Sequence, residues 1–191
     1  MIKRYITLIL SAISTIYTVW YMHYGVPYLN SGALSKIGLQ HMAAFWIWGV
    51  LLTYITLAVG ISLAYRRYTA TKVYIPLLAA SGVGMLLTLV FVFDYNVKPD
   101  YYFHCAGSLM FSAVTGAAVL IVFILAYKKA TLFRIFAWAT GVILAADFVC
   151  LLIFKETGLI EALPVFAGYI MLAISNMRSE KVEIKQEVKA N

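Results

Sequence analysis

Charged residues are scarce in this chain: 12% of its 191 positions, against 63% that are hydrophobic. A soluble domain is about 25% charged and about 45–50% apolar. A water-soluble enzyme and a disordered chain are therefore both excluded. Cysteine is nearly missing too. The two copies, Cys105 and Cys150, are too few for a secreted disulfide scaffold and lack the C-x-x-C spacing of thiol redox chemistry. Histidine is limited to His23, His41 and His104, with no H-E-x-x-H or H-x-x-E-H run. Of four prolines, Pro76 and Pro164 fall near helix starts and none lies in mid-span. That argues against the broken helices of many transporters. No Lys-Ser/Thr follows Ser81-Gly82-Val83-Gly84, so these small residues suggest close helix packing rather than a phosphate loop.

What is present in abundance is long apolar sequence, with a mean hydropathy of +0.89. A spanning helix needs about 20 mostly apolar residues. Six runs qualify, at about 5–22, 42–65, 73–93, 101–127, 131–154 and 160–175. The expected fold is all-α: a polytopic six-helix membrane bundle forming one domain over 1–178, then a charged tail at 179–191. Segments 94–100 and 155–159 are short loops, which force antiparallel neighbours. The segment from Gly25-Val-Pro27 to Gly38, which contains Gly, Pro and Ser, is expected to be an outer loop. The first run lacks a small-x-small cleavage site after it, so an uncleaved helix is expected rather than a signal peptide.

The net charge of +7 does not point to nucleic acid, because the basic residues sit in short clusters between apolar runs. With the N-terminus inside, inner segments hold Lys3, Arg4, Arg66, Arg67, Lys72, Lys128, Lys129, Arg134, Arg178, Lys181, Lys185 and Lys189. Outer segments hold Lys36, Lys98 and Lys155. This 12-to-3 split is the positive-inside pattern. It places both termini in the cytoplasm and makes a plasma membrane the simplest host. Tyrosines cluster at both boundaries, as an interfacial belt would.

Acids and histidines are costly in a bilayer, so their positions guide the functional reading. The three histidines fall at outer helix ends, with Asp94, Asp100, Glu156 and Glu161 at the same level. Asp147 differs. It lies seven residues inside the end of its run, about 10 Å deep at 1.5 Å per residue. It must be protonated, paired or beside a wet cavity. Trp48, Thr88 and Ser112 are at similar depth. His104, Ser108, Ser112 and Thr115 share one helix face. That face either lines a polar pocket or simply packs closely against a neighbour.

The expected ligand pocket therefore opens outward. His41, Asp94 and His104 form its mouth, Ser108 and Ser112 its wall, and Asp147 its deep anchor, with Trp48 and Glu161 nearby. The leading reading is binding of a membrane lipid or small amphiphile in a non-catalytic or accessory role, with no cofactor. One alternative is a metal-dependent lipid hydrolase, with zinc on His41, His104 and Asp94. Another is a small transporter or its substrate-binding subunit. A bis-histidine haem on His41 and His104 is disfavoured by their place at helix ends. Cys105 and Cys150 are either a disulfide or two buried thiols. Neighbours in the membrane are lipid and either a second copy or a partner protein.

The segment Phe93-Asp94…Pro99-Asp100-Tyr-Tyr-Phe-His104-Cys-Ala-Gly-Ser-Leu-Met-Phe111 resembles one in the six-span DRAM/Sfk-like membrane proteins and their bacterial relatives. Gly158-Leu-Ile-Glu161 fits the same pattern, and the resemblance covers about half the chain. It implies a role tied to membrane lipids or membrane organisation, and directs interest to Asp94, His104 and Glu161.

Overall fold

A computed structural model describes residues 2–91 and 93–178, with side chains from Tyr5 onward. In a bilayer every backbone polar group must be satisfied internally, and apolar runs accordingly fold as helices. These are α1 (Ile2–Met22), α2 (Leu34–Gln40), α3 (Met42–Tyr68), α4 (Tyr74–Val90), α5 (Lys98–Leu125), α6 (Thr131–Phe154) and α7 (Gly158–Met177). No strand occurs among the described residues. Helices α1, α3, α5, α6 and α7 are long and apolar enough to cross a membrane, while α4 is apolar but has 17 residues. The arrangement fits a helical membrane bundle. The tail expected at 179–191 lies outside the described residues.

Helix α1 turns soluble-protein logic around. Thr7, Ser11, Ser14, Thr18 and Tyr21 recur at alternating spacings of four and three, and all are buried. Ile9, Ile13, Ile16 and Val19 lie on the other side, with Ile16 71% exposed. In water this would expose the wrong face. Against lipid it is the stable choice, because interhelical hydrogen bonds then replace contacts that lipid cannot supply. Ser11 donates to the Tyr169 carbonyl of α7, and Ser14 pairs with Thr56 of α3 at 2.8 Å. Nearer the basic end of the bundle, Asn176 donates to Thr7 and to the Gly60 carbonyl, joining α1, α3 and α7. Within α3, residues Ile47–Tyr54 form a π-helical stretch. Its Leu52 carbonyl also accepts from Ser14.

Helices α4 and α5 pack through their glycines. A Cβ on Gly84 would lie 2.6 Å from the Phe111 nitrogen and 2.8 Å from the Gly107 oxygen, both backbone atoms. Ser81 and Thr115 share a hydrogen bond of 2.5 Å along the same seam. Gly84→Ala is expected to cost about 1–3 kcal/mol, because neither backbone can yield without shifting a helix. Reversible unfolding of the purified protein in detergent measures this, and wild-type stability in the variant would rule out the tight seam.

Several boundaries differ from expectation. Helix α4 ends at Val90 rather than near 93. There the Phe91 carbonyl is taken by the His104 ring at 3.0 Å, and Phe93 folds back onto the rings of His104 and Tyr101. Helix α5 starts at Lys98 because Pro99 occupies its first turn, where the missing N–H is harmless. Helix α3 extends to Tyr68, whose hydroxyl donates to the Ser175 carbonyl. Thr157 caps α7 by accepting from the Ile160 nitrogen. The connection expected as an outer loop holds a 3₁₀ turn at Asn30–Gly32 and the helix α2. Leu34, Ser35, Ile37 and Gly38 of α2 are buried against the bundle end.

Candidate functional site

Helix α6 is held firmly at one end. Its buried residues are Phe133, Phe136, Ala137 and Thr140, and none lies beyond Thr140. Phe123 of α5 meets Phe136 there, with ring centroids 5.3 Å apart. Gly116 of α5 lets Leu144 approach closely. Beyond Thr140 the side chains of α6 are at most half-buried, and Phe148 and Leu152 are exposed. Helix α7 packs mainly on α1 and α3 rather than on α5. A cavity of about 550 Å³ fills the resulting gap between α5, α6 and α7.

The wall is largely apolar. Leu57 of α3 lies at the back, with Phe111, Val119, Ile143, Val165 and Met171 around it. Polar groups enter at intervals: Ser108, Ser112 and Thr115 from α5, Thr140 and Asp147 from α6, and Glu161 from α7. Lining residues Leu109, Ser112, Ala113 and Phe148 are exposed. They belong to α5 and α6, so the cavity opens on the flank of the bundle between these helices.

The eight residues expected in a ligand pocket divide five to three. His104, Ser108, Ser112, Asp147 and Glu161 all line the cavity, whereas His41, Asp94 and Trp48 do not. Trp48 is buried beside Tyr21 and Phe45 and donates its indole N–H to Thr18 at 3.2 Å. Depth counting places it level with Asp147, but depth says nothing about which face of α3 a residue occupies. His41 packs on Tyr24 in a tilted arrangement, with ring centroids 4.2 Å apart. Asp94 accepts from the backbone and side chain of Asn96 in its own turn. His41 and Asp94 thus lie outside the cavity that His104 lines. Among the described residues no three His, Cys, Asp or Glu side chains are grouped to hold a metal. Cys105 and Cys150 are both free thiols.

Two of the lining residues already have structural partners. His104 is 2% exposed, and its Nδ1 faces the Phe91 carbonyl. A carbonyl only accepts, so Nδ1 carries the proton and the ring satisfies the end of α4. The Glu161 carboxylate accepts from the Leu34 nitrogen and from Ser35 Oγ at 2.9 Å. Residue 33, which precedes α2, is alanine and has no side chain to cap it. Glu161 supplies that cap from another helix.

Asp147 is different. It is half-buried on the cavity wall. Among the described residues its carboxylate has no hydrogen bond or ion pair within the protein. Sequence reasoning noted Glu156 at the outer level without placing it in the pocket, and missed Phe148 and Met171; all three line the cavity. A signal existed for the α6 residues. Leu144, Asp147, Phe148 and Leu151 fall at helical spacings of three and four, on one face. The comparison with known proteins gives no relative: no family model, no curated protein and no solved structure matches this chain.

Proposed function

We propose that this chain is a multi-pass membrane protein that binds a lipid or other small amphiphile in a non-catalytic, accessory role. It has six spans, with α4 as the third. Both termini lie on the cytoplasmic side of a plasma membrane. At 17 residues, α4 is about 26 Å long. That is a few ångströms short of a hydrocarbon core, a mismatch a bilayer absorbs by thinning or by snorkelling of flanking residues. The basic residues Arg66, Arg67, Lys128, Lys129 and Arg178 all flank one end of the bundle, which supports the orientation.

The observation that carries the binding reading is the cavity between α5, α6 and α7. Its volume of about 550 Å³ lies within the range of small-molecule sites, roughly 300–1,000 Å³. Its long apolar wall suits a hydrocarbon chain, and its polar groups suit a single head. An opening on the flank faces acyl chains, so an amphiphile enters from the lipid phase without crossing water. The resemblance to the DRAM/Sfk-like proteins points to membrane lipids as well.

Dodecanol is a suitable neutral probe. Native mass spectrometry of the full chain in a neutral maltoside detergent is expected to show one dodecanol bound per chain. Ser108→Phe places a ring in the lining and is expected to weaken that binding about tenfold, roughly 1.4 kcal/mol. Equal binding by both proteins, or none by either, would sink the proposal.

A further inference from the structure

We propose that the cavity selects a cationic amphiphile, a protonated alkyl amine, whose ammonium head rests on the Asp147 carboxylate while its chain lies between α5, α6 and α7. The inference rests on the amphiphile-binding reading and adds the sign of the head group.

The lining contains three carboxylates, Asp147, Glu156 and Glu161, and no lysine or arginine. Glu161 is occupied in capping α2. The ring nitrogen of His104 that lies near a polar atom is committed to a backbone carbonyl. Asp147 and Glu156 are left as half-buried acceptors without a protein donor among the described residues; Glu156 lies in the turn between α6 and α7, whereas Asp147 is on the wall formed by α6. It lies on the part of α6 that has no buried residue, beside the flank opening. A carboxylate in such surroundings is stabilised most by a cationic donor. An ammonium has three donors, and the hydroxyls of Ser108 and Ser112 in the same wall are further acceptors.

The alternatives fit less well. A phosphate or carboxylate head would meet three acids and no counter-charge. A hydroxyl head would donate one hydrogen bond and gain nothing from the field of the acids. Charge complementarity thus commits the cavity to an amine. The rest of the wall accommodates a chain without demanding particular groups.

Three probes of one chain length isolate the head: dodecylamine, dodecanol and dodecanoate, each titrated against the full chain in maltoside detergent by native mass spectrometry. Dodecylamine is expected to bind at least about tenfold more tightly than dodecanol, with dodecanoate weakest. Asp147→Asn is expected to bring dodecylamine down to the affinity of dodecanol measured on the same variant, and cooperative unfolding of that variant in the same detergent shows that it is folded. Equal affinity of amine and alcohol in the wild type would overturn the charge selection and leave amphiphile binding standing. An amine advantage that survives Asp147→Asn would overturn the charge selection in the same way. Binding of none of the probes, or a stable dimer that excludes them all, would overturn both readings together.

Discussion

Asp147→Leu is expected to make the protein more stable while abolishing its preference for amines. A charged carboxylate near the centre of a bilayer costs about 2.5–3.5 kcal/mol on insertion scales. Asp147 is half-buried beside a cavity rather than fully in lipid, so only part of that cost applies. A gain of about 1–3 kcal/mol remains. Nothing is forfeited in exchange, since no protein donor to its carboxylate is found among the described residues. The variant leucine also extends the apolar wall. A group that lowers stability and has no structural partner is typical of a functional position. Unfolding in detergent of wild type, Asp147→Asn and Asp147→Leu gives the order directly. A loss of more than about 1 kcal/mol in both variants would assign Asp147 a structural hydrogen bond instead.

Glu161→Ala is expected to act in the opposite sense. The Glu161 carboxylate holds the backbone of Leu34 and the hydroxyl of Ser35. Hydrogen bonds to a charged group contribute about 1.5–3 kcal/mol each, and a buried donor left unmatched adds a penalty. Removing the buried carboxylate relieves its own desolvation cost in part, and a net loss of about 2–4 kcal/mol is expected. It should be local as well as global. Helix α2 is anchored further by Tyr21, which donates to the Leu34 carbonyl at 2.9 Å, and the segment before it by the Leu159 nitrogen, which donates to the Pro27 carbonyl. Losing the cap should raise hydrogen exchange at Leu34 and Ser35 first, with α3 and α7 following only on global unfolding. Glu161→Gln keeps acceptor oxygen and is expected to recover about half the loss. Unchanged exchange at Leu34 in Glu161→Ala would remove the capping role.

These two acids show how far sequence reasoning carries. Both stand out because acids are rare in apolar runs, and both line the cavity. Their tasks are unlike, and no count along the chain separates them. Glu161 is assigned by a partner 127 residues away, and Asp147 by the lack of one. Trp48 and His41 lie outside the cavity for a related reason. Matching depth and matching helix ends set one coordinate of a side chain. The rotation of each helix sets the other, and rotation follows from packing against neighbours.

Some tertiary information is nonetheless present in the chain. The alternation of Thr7, Ser11, Ser14, Thr18 and Tyr21 marks the buried face of α1. Hydropathy alone does not reveal it, because hydroxyl residues in an apolar helix hardly alter the average. The glycines of α4 announce close packing, but the partner glycine on α5 is visible only in space.

Composition and the lengths of the apolar runs determined by themselves that this is an all-helical chain suited to a bilayer. The reason is general: lipid leaves a backbone no bonding partner but itself. The ends of the six expected helices were legible to within three residues, and at α4 the shift has a tertiary cause, the His104 ring at the Phe91 carbonyl. The fold alone decided that α2 is a helix capped by Glu161. It also decided that α6 parts from α5 beyond Gly116 and Leu144 to leave a cavity facing Asp147. A cavity is a failure of helices to meet, and that depends on crossing angles and side-chain volumes summed over three helices.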